Sequence, residues 1–200
     1  ASPPAAPRPL APAPETALLA WADPASRRVG GLASVPSEAR AVMAGAFASA
    51  AGASTWRELP HATRSSLERA LREARPALFH FVGHGEAVPS GARLVLEGSR
   101  PGEEDCVYPE ELAGWLASAG VCLTVLCACR SGANGGFGAA CAKAGVSATV
   151  AMQGTLRDAA GPLLARALYS AIAAGESVED ALWEARQALR SSGMDWAMPV

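Results

Sequence analysis

Apolar residues run almost unbroken from Val121 to Ala128, and the chain then turns polar and flexible at Cys129-Arg130-Ser131-Gly132. Such a run fits a strand buried on both faces of a parallel sheet. Residues 77–82 repeat the form: an apolar stretch ending in Gly83-His84-Gly85. Shorter runs over 16–21, 54–59 and 147–152 read as further strands, and 93–97 alternates like a hairpin arm. Residues 23–37, 86–91 and 100–105 carry the turn-forming and charged residues of loops.

Between these runs the apolar spacing changes to that of helices. Residues 38–51 are alanine-rich and helix-prone. Over 61–74, Leu67, Ala70, Leu71 and Ala74 share one face, with Ser65 and Glu68 as a capping box. Pro109 opens a helix through 118 with Leu112, Trp115 and Leu116 inward. A short helix over 139–144 follows the glycine-rich 132–138. Residues 158–174 form another helix, which Gly175 stops. Ser177 and Asp180 cap a last helix running to about Arg190. Strands alternating with helices predict an α/β fold, a parallel sheet covered on both faces.

Composition adds bounds. Two hundred residues, half of them apolar, support one sizeable core. Residues 1–14 hold six of the fifteen prolines among alanines and read as a linker; residues 15–200 form the domain. The net charge of −2 gives no electrostatic case for nucleic acid or an anionic membrane. No apolar run reaches the roughly 20 residues of a membrane helix. Three of the five cysteines crowd residues 122–129, where strand geometry disfavours bridging, so free thiols and a cytoplasmic setting are expected. A single lysine, Lys143, beside sixteen arginines reads as the coding bias of a GC-rich bacterium. The chain stops in an apolar run at Ala197-Met198-Pro199-Val200 and reads as a domain cut from a longer protein.

The candidate chemistry lies at two strand ends. Open α/β sheets place their sites at the carboxyl ends of their strands. Cys129 and His84 occupy such ends, and a cysteine works as nucleophile only as thiolate, which a nearby imidazole or helix N-terminus favours. Cys129 is expected just before a helix whose dipole would favour the anion. The glycines beside His84 allow close backbone approach and could aim amides at an oxyanion. On spacing alone, Cys129 could equally be one of several packed thiols and His84 a loop histidine shaped by its glycines. Gly132-Ala133-Asn134-Gly135-Gly136-Phe137-Gly138 hints at a dinucleotide loop, but the spacing is not Gly-x-Gly-x-x-Gly. Cys127-x-Cys129 has no further ligand pair, so no metal or cofactor is expected. His61 and His80 read as structural, the five tryptophans as core, and Cys106, Cys122 and Cys141 as packing thiols.

Phe81-Val82-Gly83-His84-Gly85-Glu86 followed by Leu126-Cys127-Ala128-Cys129-Arg130-Ser131-Gly132 resembles the CHAT family, the caspase-like peptidase domains related to separase. The segment 32–41 with Glu38-Ala39, Ala62-Thr63-Arg64 before a helix, the closing helices from Ala173 to Arg186, and Trp196 are similar as well. The resemblance implies a caspase-like three-layer sandwich. It also implies a Cys-His endopeptidase cutting protein substrates at chosen sites, with His84 the general base and Cys129 the nucleophile. The amides of Gly85 and Cys129 would form the oxyanion hole. Gln153 and Asp158 fall where related proteases build the pocket for the residue before the cut. An acid there would favour Arg or Lys, although Asp158 also fits a helix N-cap. Glu86 would either line the groove or sit solvated in its loop. Such domains normally continue with one more strand, so Val200 would cut this one short. They often accompany repeats or sensor modules, so the resemblance implies control by another module and a bacterial effector acting in antiviral defence. The rival expectations are a silent interaction module that keeps the fold, and a nucleotide-binding domain using 132–138.

Overall fold

A computed structural model describes residues 16–24, 55–89, 91–133 and 136–200. The expected linker over 1–14, the helix over 38–51 and the Glu38-Ala39 segment lie outside the described residues. Among the described residues, five parallel strands form the main sheet: β1 (Thr16–Trp21), β2 (Thr55–Leu59), β3 (Leu78–Val82), β7 (Leu123–Cys127) and β8 (Ala148–Val150), in the order β2-β1-β3-β7-β8. A second sheet is antiparallel and three-stranded: β4 (His84–Val88), β5 (Gly91–Glu97) and β6 (Glu104–Val107). The helices among the described residues are α1 (Arg64–Ala74), α2 (Pro109–Ala119), α3 (Gly136–Ala144), α4 (Ala160–Ala173) and α5 (Val178–Ser191).

Strand side chains alternate between the two faces of the sheet, and both faces are covered. Leu18, Ala20, Phe79, Phe81, Leu126 and Ala128 pack against α1, α2, α3 and the small sheet. Ala17, Leu19, Leu78, Val82, Val125 and Cys127 pack against α4 and α5. Every residue of β3 and of β7 is buried, which is why both read as apolar runs. This is a mixed α/β sandwich consistent with a caspase-like one.

Several local expectations are corrected. The first cap is built by Thr63 and Ser66, not by Ser65 and Glu68, so α1 begins at Arg64. Residues 84–88 form strand β4 where a loop from Glu86 was expected, and β6 occupies part of the charged stretch 100–105. Both belong to a small sheet whose half-exposed residues lack a continuous apolar signature. Helix α3 starts at Gly136, inside the glycine run. Asp158 does not cap α4, whose N-cap is Ala159 with no side-chain hydrogen bond. Ser177 does cap α5, accepting from the Asp180 amide. Trp183 and Trp196 are 55% and 44% exposed, unlike Trp21, Trp56 and Trp115, which pack against the core. His80 is fully buried and shares a hydrogen bond of 2.7 Å with the Tyr169 hydroxyl. After β8, residues 151–153 pair antiparallel with 198–200, an extra rung on the sheet edge.

Candidate active site

Three neighbouring strands end at one level. Trp21 of β1 is in register with Val82 of β3, and Val82 with Cys127 of β7. The ladder extends one step further, with the Ala22 amide on the Val82 carbonyl at 3.1 Å and the Gly83 amide on the Cys127 carbonyl at 3.2 Å. Asp23, His84 and Cys129 therefore each follow a register-matched residue by two positions, on adjacent parallel strands.

The exit of β3 is shaped by the want of a side chain. A Cβ on Gly83 would lie 2.7 Å from the Phe81 ring and 2.9 Å from the Ala22 carbonyl oxygen. A Cβ on Gly85 would lie 2.2 Å from the Cys129 carbonyl oxygen and 3.2 Å from Ala128. Real Cβ atoms do not approach so closely, so the backbone of β4 can lie against Cys129 only if residue 85 is glycine. His84, held between these contacts, has a side chain only 13% exposed, and its Nε2 lies 2.9 Å from Asp23 Oδ1. The Asp23 amide in turn donates to Glu97 Oε1 at 3.2 Å, and His61 Nδ1 approaches the same oxygen at 3.6 Å.

The exit of β7 is held by hydrogen bonds. Ser131 is fully buried; its hydroxyl donates to the Leu126 carbonyl at 3.2 Å and accepts from the Met152 amide at 3.0 Å. Arg130 adopts a left-handed backbone with φ of 58°, and its amide donates to the Gly154 carbonyl at 2.9 Å. The Gly132 amide donates to the Met152 carbonyl at 2.8 Å. Cys129 is half-buried, its sulfur 3.9 Å from the Leu156 carbonyl oxygen. The turn after Cys129 is thus wrapped by the segment from Met152 to Leu156. This turn also separates Cys129 from α3, and the Ser131 carbonyl, not Cys129, receives the Phe137 amide. The helix begins at Gly136, nearer to Cys129 in sequence than the expected start at residue 139.

The remaining sequence-derived candidates have partners or settings of their own. Gln153 is exposed and its amide pairs with the Met198 carbonyl at 2.9 Å; Asp158 is exposed in the turn before α4. Glu86 lies on β4 and not in a loop, its Oε2 taking Arg93 Nε at 2.9 Å and a second guanidinium nitrogen at 2.5 Å. That bond raises the Arg93 pKa above its ordinary value. Burial pushes the Cys106 and Cys141 thiols up. In the glycine run, Gly132 packs against Ala151 and Val200, and a Cβ on Gly136 would meet the Ser131 carbonyl oxygen at 2.9 Å. These two glycines are accounted for by packing, with Asn134 and Gly135 outside the described residues. Among the described residues no group of three metal-ligating side chains converges, and no helix is long and apolar enough to cross a membrane.

Asp23 and Ser131 are the site residues that sequence reading missed. Asp23 opens a turn-rich stretch and resembles any loop acid; the usable signal was its place two residues beyond a strand end. Ser131 lies in the Ala-Cys-Arg-Ser-Gly turn, where nothing in the local pattern marks a hydroxyl as buried.

A comparison with curated proteins gave no match. A family model described as CHAT domain matches residues 2–198, nearly the whole chain. With a parallel sandwich whose adjacent strands β3 and β7 end in Gly-His-Gly and Ala-Cys-Arg-Ser-Gly, the chain belongs to the CHAT domain family, a caspase-like, protease-related group.

Proposed function

We propose that this domain is a cysteine endopeptidase in which His84 and Cys129 form the catalytic dyad. One observation carries the reading. The two residues leave adjacent strands at matched positions, and Gly85 brings the backbone beside His84 against the Cys129 carbonyl. A packed thiol and an unrelated loop histidine need no such approach.

The chemistry follows from these groups. The Cys129 thiol gives its proton to the His84 imidazole, and the thiolate attacks the scissile carbonyl carbon. The amides of Gly85 and Cys129 receive the negative charge that develops on the carbonyl oxygen. Collapse of the tetrahedral intermediate breaks the C–N bond, and the imidazolium proton leaves with the amine. Water, deprotonated by His84, then hydrolyses the thioester, releasing a carboxylic acid and restoring the thiol.

Gln153 lies within the segment that wraps Cys129 and Asp158 just beyond it, which supports their place in the pocket for the residue before the cut. Asp158 would favour Arg or Lys there. Glu86 is already satisfied by Arg93, so it is left out of side-chain recognition. Family membership supports protein substrates and control by another module in the same or a partner chain. To test the reading, the protein is incubated with a pool of proteome-derived peptides and new N-termini are sequenced. New termini produced by the wild type and lost in Cys129→Ala and His84→Ala are expected, with Asp158→Asn shifting preference away from Arg and Lys. Termini that persist in Cys129→Ala would overturn the proposal.

A further inference from the structure

We infer that Asp23 is a positioning residue for His84, its carboxylate accepting the Nε2 proton and so dedicating Nδ1 to proton transfer with Cys129. The inference rests on the peptidase reading and deepens it. Three observations carry it. First, the Nε2–Oδ1 separation is 2.9 Å, and the imidazole is 13% exposed against 30% for the carboxylate. This is a largely enclosed pair, unlike a surface ion pair of small worth. Second, Asp23 is not placed by a free loop. The Ala22 amide is held by the Val82 carbonyl, and the Asp23 amide by Glu97 Oε1 at 3.2 Å. Third, β1, β3 and β7 deliver Asp23, His84 and Cys129 from one register row.

A neutral imidazole has one donor and one acceptor nitrogen, and the partner of one fixes the role of the other. With Nε2–H given to a carboxylate, the lone pair sits on Nδ1. When Nδ1 takes the thiol proton, both nitrogens become donors and the carboxylate faces the new positive charge. A carboxylate that orients a catalytic imidazole in this way stabilises the charged form without itself gaining the proton. Among the described residues, Glu97 is bonded to the Asp23 backbone and not to the imidazole, and His61 approaches that same Glu97 oxygen.

Two readouts test the role. The first is independent of turnover. In protein labelled with 15N-histidine, wild type and Cys129→Ala are expected to show a downfield His84 Nε2 proton resonance protected from exchange. It should vanish in Asp23→Ala and return in Asp23→Glu. The second is kinetic. Asp23→Asn, which keeps the volume and loses the charge, is expected to lower kcat on the peptide pool by about 10-fold or more with KM little changed. Asp23→Glu should recover part of the loss. Should Asp23→Ala not fold, Asp23→Asn carries both readouts. A protected resonance that persists without the Asp23 carboxylate, or an Asp23→Asn enzyme with wild-type kcat, would overturn the inference. If His84→Ala and Cys129→Ala still cleave, the peptidase reading fails instead. If they are inactive while the Asp23 variants match wild type, only the role of Asp23 falls.

Discussion

The exits of β3 and β7 lie side by side but are fixed by opposite means. At β3 the chain is held by what its glycines lack: neither Gly83 nor Gly85 can carry a Cβ where it sits. At β7 it is held by what Ser131 supplies, a buried hydroxyl that ties the Leu126 carbonyl to the Met152 amide. The first device brings backbone against backbone and leaves His84 little room. The second shapes a turn around Cys129 while its sulfur stays half-buried. In the proposed dyad a base must be aimed, whereas a nucleophile must be both aimed and reachable, and the two exits suit those separate needs.

Breaking the β3 device should have the largest effect. In Gly85→Ala the new Cβ meets the Cys129 carbonyl oxygen, a backbone atom that cannot rotate away. The His84-dependent reactivity of Cys129 should fall by about 100-fold, as for a catalytic group displaced by about 1 Å. Overpacking should also cost about 1–3 kcal/mol of stability, read by urea denaturation. A Gly85→Ala protein with wild-type reactivity would mean the close approach has no functional part.

Breaking the β7 device should act on stability first. Ser131→Ala leaves a buried amide and a buried carbonyl each short of a partner, and should lower the unfolding free energy by about 1–3 kcal/mol. Cys129 should become more accessible to alkylation as the turn loosens. Equal stability to wild type would show that the turn is held by its backbone bonds alone.

The pH profile sharpens the contrast between Cys129 and the packed thiols. Burial raises the folded-state pKa of Cys141. Its stabilising contribution is therefore complete below the ordinary thiol value of about 8.5 and lost as pH rises through the folded value. Stability should decline on the alkaline side, and Cys141→Ala should flatten that decline in thermal melts across pH. An unchanged alkaline slope would remove Cys141 as its source.

The smallest effect is expected at Arg130, exposed and left-handed. A non-glycine residue in that region costs roughly 1–2 kcal/mol, part of which glycine returns through its own unfolded-state entropy. Arg130→Gly should therefore raise stability by about 0.5 kcal/mol, measured by thermal melt. A loss of stability would show that the Arg130 side chain supports the turn.

The same contrast governs what the sequence could disclose. Strands β1, β3 and β7 are legible because their residues are buried on both faces, and Gly-His-Gly and Ala-Cys-Arg-Ser-Gly mark two of the exits. β4 is obscured because Gly85 interrupts its alternation, and β6 because Glu104 and Asp105 sit in a half-exposed strand. The Thr63–Ser66 cap is obscured because Ser65 and Glu68 offer a capping-box pattern two residues further on. Asp23 could not be paired with His84 from spacing, since 61 positions separate them and only the parallel register of β1 with β3 brings them together. The exposure of Trp183 and Trp196 is likewise a property of the assembled surface, not of local pattern.

The central claim is that His84 activates Cys129, and the site-resolved rate of iodoacetamide alkylation tests it most directly. Each cysteine is quantified by peptide mapping in wild type and in His84→Ala at neutral pH. Cys129 should react ahead of Cys106 and Cys141, whose thiols burial holds protonated, and should slow by about 10-fold or more without the imidazole. A Cys129 that reacts at the same rate with and without His84 would contradict the dyad.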